Sequence, residues 1–157
     1  MSLSAPSSQP ISGALFRVGV VAARFNETLV DGLLARVVGS LAGAGVKAEN
    51  IAVVRVPGSH EIPWAAQAFA AGGECDCVIA LGVLIAGETN HHEMVGQSVS
   101  LTLQRVAIET GIPVINGVIV ANSTGQAKAR CVGKINRGRE FAMAALEMAV
   151  LKRKFLR

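Results

Sequence analysis

The sequence predicts an α/β fold in which a four-stranded parallel sheet lies between two layers of helices, three layers in all. Three observations lead to it. Apolar runs of strand length alternate with segments of helical period, four times along the chain. Each run is punctuated by glycine, proline or asparagine, and every strand-to-strand link is long enough to be a right-handed crossover. The 157 residues suit one domain able to enclose its own core, and no internal repeat, low-complexity block or second domain is visible.

Residues 1–12 are rich in Ser and Pro and bury little, so they read as a flexible arm, with the single domain spanning residues 13–157. Phe16 to Ala23 is the first strand. After Arg24-Phe25, Asn26 is the expected N-cap of a helix whose stripe is Val30, Leu33, Leu34, Val37, Val38 and Leu41, stopped by Gly43 and Gly45. Ile51 to Val56 is the second strand. Pro57 to Pro63 turns it into a second helix running through Phe69 and ended by Gly72-Gly73, with Glu61 and Pro63 suited to a first helical turn. Cys77 to Ile85 has the length and apolar content of a buried third strand. Its helix, about residues 92–110, carries Val95, Val99, Thr102 and Val106 on one face and stops at Gly111 ahead of Pro113. Val114 to Val120 is the fourth strand. Ser123-Thr124-Gly125-Gln126 has the form of a capping box opening a short helix that ends near Arg130. Asn136 begins the last helix, with Phe141, Ala145, Met148 and Phe155 on its apolar side. Such an order implies flavodoxin-like winding.

Apolar residues make up 51% of the chain, yet no apolar stretch approaches the length of a membrane span. The surplus points to subunit contacts, hence a homo-oligomer and no membrane partner. The formal charge is +4, but Lys152, Arg153, Lys154 and Arg157 carry the excess, and the rest of the chain is balanced. Such a tail is expected to favour the helix dipole rather than a phosphate backbone. With no Tyr and the single Trp64 there is no aromatic series to stack bases, so nucleic acid is not an expected partner. Cys75, Cys77 and Cys131 are odd in number, and no basic-then-apolar leader precedes them, so reduced thiols in a cytoplasmic protein are expected, without a metal site.

The stretch Gly82 to Glu93 holds the strongest candidate chemistry. The apolar third strand ends in two glycines and a polar turn, then meets a helix at His91-His92. In an open parallel sheet, the crevice beyond the strands' carboxyl ends gathers backbone N–H groups and helix termini that suit an anionic ligand. An imidazole there can accept and release a proton near neutral pH. The same residues also read as a plain helix start, with Thr89 or Asn90 as cap and His91 solvated. Tandem zinc ligands are disfavoured, because neighbours i and i+1 on a helix diverge. Phe25, at the end of the first strand, suits stacking on a planar ligand or filling a gap beneath a loop. Arg130 suits either a phosphate or solvent.

Four stretches, Ala23-Arg24-Phe25-Asn26, Val56 through Pro63, Gly82 through His91, and Gln126-Ala127 with Arg130, resemble lumazine synthase in order and spacing, and Asn136-Arg137-Gly138 with Ala145 to Met148 extends the similarity. The resemblance covers nearly everything after residue 13. It implies condensation of 5-amino-6-(D-ribitylamino)uracil with 3,4-dihydroxy-2-butanone 4-phosphate, releasing phosphate and water, with no cofactor. It also implies a homo-oligomer, a pentamer or a larger assembly of pentamers.

By this likeness Phe25 would stack on the pyrimidine, and Ser59, His60 and Glu61 would follow the ribityl chain and ring edge. Val83, Leu84 and Ile85 would border the uracil through backbone groups. Glu88 and Thr89 would offer backbone N–H groups to the phosphate that Arg130 neutralises. His91 would carry the proton, and Asn116 would complete the pocket from a neighbouring subunit. The chain departs from the family pattern at Ala86, His92, Asn116, Gly125 and Arg137, where arginine, an aromatic residue, an aromatic residue, an acidic residue and lysine are common. Two other readings accompany this one: a non-catalytic relative that binds lumazine or flavin or forms a shell, and a riboflavin synthase of the archaeal type.

Overall fold

The computed structural model describes residues 4–156. Residues 1–3 of the arm and Arg157 of the basic tail lie outside the described residues. Residues 4–10 are exposed and carry neither helix nor strand, while Ile11 already packs against the core.

The four strands β1 (Val18–Ala23), β2 (Ile51–Val56), β3 (Cys77–Ile85) and β4 (Val114–Ala121) form one parallel sheet in the order β2-β1-β3-β4. Among the described residues five α-helices connect and flank them: α1 (Glu27–Gly43), α2 (Ile62–Ala71), α3 (His91–Thr110), α4 (Thr124–Cys131) and α5 (Arg137–Phe155). Helices α1, α4 and α5 cover one face of the sheet, where Leu33, Leu41 and Leu146 meet Ile79 and Leu81. Helices α2 and α3 cover the other, where Ile62, Val99 and Leu103 meet Val21, Val78 and Ala80. The strands β1 and β3, buried from end to end or nearly so, are uninterrupted apolar runs, as a sheet covered on both faces requires. The fold is therefore the three-layer α/β/α, flavodoxin-like arrangement.

Several local expectations are corrected. The first strand starts at Val18 rather than Phe16, because the Arg17 N–H donates to the Asp76 carboxylate at 2.9 Å instead of to a strand. Asn26 precedes α1 in a left-handed conformation (φ 56°) but its side chain caps nothing. On α3 the fourth buried position is Leu103 in place of Thr102, whose hydroxyl donates back to the Ser98 carbonyl at 2.8 Å. On α5 the buried face is Phe141, Ala142, Ala145, Leu146 and Ala149. At 3.6 residues per turn, Met148 and Phe155 fall roughly a quarter-turn from the centre of that face, and both are exposed.

Other local signals hold. Ser123 accepts from the Gln126 N–H at 3.2 Å, Asn136 accepts from the Arg139 N–H at 3.2 Å, and Gly111 closes α3 with φ 71°. The basic tail does more than face the helix dipole. Arg153 pairs with Asp76 at 2.9 Å, donates to the Leu15 carbonyl at 2.6 Å and lies 4.5 Å over the Phe16 ring, tying α5 to the entry of β3.

Candidate active site

The sheet order changes direction between β1 and β3, and the crevice beyond those two carboxyl ends is where an open parallel sheet binds ligands. A cavity of about 720 Å³ occupies that place. Its floor is possible because β3 outruns β1. Pairing between them ends at Ala22 and Leu81, whereas β3 stays paired with β4 as far as Ile85. The Val83 carbonyl, left without a strand partner on the β1 side, accepts from the Asn26 side-chain amide at 2.8 Å. Backbone groups of a parallel strand alternate sides, so Ile85 presents its N–H and C=O toward the same open side.

The turn after β2 makes the second wall. The Arg24 and Phe25 N–H groups donate to the Val56 and Pro57 carbonyls at 2.9 and 3.2 Å, fastening the ends of β1 and β2 together. Phe25 is 71% exposed, and one edge of its ring packs against the turn. A Cβ on Gly58 would stand 3.1 Å from that ring, so glycine permits the approach. The Glu61 carboxylate accepts from the Gly58 N–H at 2.9 Å, which fixes its position over the same turn. His60, exposed, lies 3.8 Å from Glu61. Ser59 is buried over β3, where a Cβ on Gly82 would come within 2.5 Å of its hydroxyl.

The third wall is the start of α3. Gly87, Thr89, His91 and His92 line the cavity there. The Thr89 hydroxyl accepts from the His91 N–H at 3.4 Å, a weak cap that leaves the His91 imidazole exposed to the cavity.

Nine of the twelve expected residues thus line one space: Phe25, Ser59, His60, Glu61, Val83, Leu84, Ile85, Thr89 and His91. The other three do not. Glu88 sits in the exposed turn between Gly87 and Thr89, with its side chain outside the lining. Asn116 lies midway along β4, opposite Ala80, exposed and accepting from the Val118 N–H at 3.1 Å. Arg130, on α4, donates to the Gln126 carbonyl one turn back at 2.9 Å. No arginine or lysine lines the cavity among the described residues.

The lining also includes residues outside the expected set, Asn26 and His92 among them. The tandem His91-His92 was the available signal for the second. The Ser59 hydroxyl and both ring nitrogens of His92 are buried with no hydrogen-bond partner among the described residues. Leaving such a group unmet costs ~1–3 kcal/mol. The three cysteines are free and buried, all away from the cavity lining. Burial pushes the Cys77 thiol up to about 12 and that of Cys131 up to about 11, so neither offers a thiolate near neutral pH. Among the described residues no three His, Cys, Asp or Glu side chains converge as metal ligands, and no helix is long and apolar enough to cross a membrane.

Comparison with known proteins supplies the family. The model of the 6,7-dimethyl-8-ribityllumazine synthase family matches residues 15–153. A protein of that name from Thermococcus gammatolerans is 45% identical, over 90% of this chain and 91% of its own length. Its namesake from Pyricularia oryzae is 38% identical over 98% and 96%, and the one from Polaromonas sp. is 39% identical over 92% of each. The chain belongs to the 6,7-dimethyl-8-ribityllumazine synthase family.

Proposed function

We propose that the chain is a transferase that condenses 5-amino-6-(D-ribitylamino)uracil with 3,4-dihydroxy-2-butanone 4-phosphate to 6,7-dimethyl-8-ribityllumazine, in riboflavin biosynthesis. The observation that carries this reading is the convergence of an open aromatic face, a fixed carboxylate, a strand edge and an exposed imidazole on one cavity. Phe25 stacks on the pyrimidine. The edge of β3 from Val83 to Ile85 borders its polar rim, and Ser59, His60 and Glu61 take the ribityl hydroxyls.

His91 serves as the proton carrier. Imine formation needs a proton delivered to a departing water, and loss of phosphate needs one removed beside a carbonyl. One positioned imidazole serves both steps, for a gain of ~10²–10⁴-fold. Holding the two substrates in register supplies much of the remaining acceleration. The reaction calls on no cofactor.

The phosphate requires a cation, and among the described residues none lines the cavity. We assign that role to Arg130 of a neighbouring copy, with the backbone N–H groups of Glu88 and Thr89 completing the cradle and Asn116 of that copy closing the ring pocket. Arg130 and Asn116 stand on α4 and on the edge strand β4, away from their own cavity, as a site shared between copies demands. Apolar side chains left in the open support assembly. Met94, Leu101 and Ile108 recur every seven residues along one face of α3, and Val53 and Val54 are exposed on the unpaired edge of β2. A head-to-tail contact that closes gives a ring, here a homopentamer or an assembly of pentamers, in the cytoplasm, where the buried thiols stay reduced.

Mixing the purified protein with both substrates at neutral pH tests the assignment. Formation of the fluorescent lumazine with one phosphate released per product is expected. Product formation no faster than the uncatalysed reaction would overturn it.

A further inference from the structure

We propose that Arg36, on α1, is a positioning residue for phosphate recognition: it caps the carboxyl end of α4 and thereby fixes the guanidinium of Arg130. The proposal rests on the reading of Arg130 as the cation that meets the ketone phosphate.

The need for such a residue lies in α4 itself. It has eight residues, and its buried side chains are Ala127 and Cys131, both small. A helix that short is not stable on its own in water, so its ends and its neighbours must hold it. The amino end is held locally: Ser123 accepts from the Gln126 N–H at 3.2 Å, and the Gln126 side chain accepts from the Asn122 N–H at 2.9 Å. The carboxyl end is held from far away in sequence. The last carbonyls of a helix find no partner within it. Here the chain folds back, so that the Gly133 N–H donates to the Lys128 carbonyl at 2.8 Å and the Ile135 N–H to that of Ala129 at 3.2 Å. Arg36 takes the two carbonyls that follow the helix. Its terminal nitrogens donate to the Val132 carbonyl at 2.6 Å and to the Gly133 carbonyl at 2.7 Å, across 96 and 97 positions of sequence.

The donor is closely confined. A Cβ on Gly32, one turn before Arg36, would come within 2.2 Å of the Val132 side chain, and one on Gly138 within 2.6 Å of the Arg36 Cβ. Helix α1 therefore touches both the segment after α4 and the start of α5, and the stem of Arg36 runs between them. A planar guanidinium bonded to two adjacent carbonyls fixes direction as well as distance, and its charge suits the negative end of a helix.

Arg130 lies in the turn that this cap secures, two residues before Val132. Its own guanidinium donates to the Gln126 carbonyl at 2.9 Å, so the direction of α4 sets where it points. The charges of Arg36 and Arg130 both reach the Cys131 thiol, although burial, the larger effect, pushes it up. Both cations thus stand at the same end of α4, one bonded to its carbonyls and the other carried by it. Loss of the cap frays α4 from its carboxyl end, and Arg130 is in the part that frays.

The test measures both KM values in the unaltered protein, Arg36→Met, Arg130→Ala and the double variant. Methionine keeps an unbranched apolar stem and removes the donors. Arg36→Met should raise KM for 3,4-dihydroxy-2-butanone 4-phosphate by roughly 3–10-fold, while KM for the aminouracil stays within about twofold. Added to Arg130→Ala it should raise neither any further, because it acts through the residue already removed. A residue that only stabilised the fold would weaken both substrates alike or would add its effect to that of Arg130→Ala. Either result, or unchanged KM values, would overturn the proposal.

Should Arg36→Met fail to fold, Arg36→Lys decides, since lysine keeps the charge and gives up the planar fork. A smaller rise confined to the ketone phosphate is expected, and a rise for both substrates or for neither would overturn the proposal. A normal KM for the ketone phosphate in Arg130→Ala would overturn the reading of Arg130 and the proposal with it. A normal Arg36→Met beside an impaired Arg130→Ala would overturn the role of Arg36 alone.

Discussion

The side-chain amide of Asn26 donates to the Val83 carbonyl at 2.8 Å, bridging the end of β1 to the stretch of β3 that runs beyond it. The bond spans the point where the sheet order changes direction. Asn26 reaches it from a left-handed backbone conformation, which asparagine tolerates better than most residues. Phe25 directly precedes it, so the bridge also anchors the aromatic wall of the cavity.

Asn26→Gly keeps the backbone conformation and removes the bridge. Unfolding in urea should show a loss of roughly 1 kcal/mol. KM for the aminouracil should rise more than KM for the ketone phosphate, because Phe25 loses its anchor. An unchanged midpoint together with unchanged kinetics would show that the bridge contributes nothing.

His91→Gln keeps a polar side chain at the start of α3 but cannot exchange a proton near neutral pH. kcat should drop by ~10²–10³-fold with little change in either KM. Some activity should survive, since orientation of the substrates is untouched. A kcat close to that of the unaltered protein would remove His91 from the chemistry.

Arg130→Ala should raise KM for the phosphorylated ketone by about 10–100-fold, the scale of a charge-assisted hydrogen bond to phosphate. KM for the uncharged aminouracil should hardly move. Equal effects on the two substrates would mean that the guanidinium serves α4, where it already donates to the Gln126 carbonyl, rather than the ligand.

Asp76 gives a pH-dependent prediction far from the cavity. Burial pushes its carboxyl up, but hydrogen bonds from Arg153 and the Arg17 N–H, with the charges of Arg153 and Lys152, outweigh that and hold it below the ordinary range. A carboxylate lowered on folding stabilises the native state above its unfolded value and loses that contribution as pH falls through the folded one. Asp76→Asn should therefore cost roughly 1–2 kcal/mol at pH 7, allowing for the exposure of Arg153. The gap between variant and parent should close as the pH drops below about 4. A gap that is constant from pH 7 to pH 3 would show that packing, not charge, holds the α5 tail in place.

Most of the architecture was legible because the local signals agree with the tertiary ones. The run from Cys77 to Ile85 is apolar throughout, since β3 is central and covered on both faces, and its bounds emerge as expected. Glycine and asparagine marked the ends of α1, α3 and α5 for steric reasons that need no knowledge of the fold. What escaped depends on contacts between distant residues. Asn26 looks like a cap in sequence, and only the overhang of β3 explains why its amide turns to Val83 instead. Phe155 continues a plausible apolar spacing in the sequence, but the actual buried face of α5 is centred roughly a quarter-turn away, which leaves it exposed. The role of Arg153 required Asp76, 77 positions away, to be placed beside it.

The candidate site was legible to the same extent. Phe25, Glu61 and His91 each follow a strand, and the parallel sheet gathers strand ends. Asn116 lies within β4 rather than beyond it, Arg130 lies on α4, and neither lines the cavity of its own chain. No pattern within one chain states which copy a side chain serves.

Co-expression of His91→Gln and Arg130→Ala chains under two different tags, with purification on both, tests most directly whether one cavity built by two copies performs the condensation. If each site joins His91 of one copy to Arg130 of the next, about one quarter of the sites in a randomly mixed ring carry both residues intact. Lumazine formation at low ketone phosphate should then rise well above that of either variant alone. Mixed rings no more active than the mean of the two parents would contradict a site shared between neighbours.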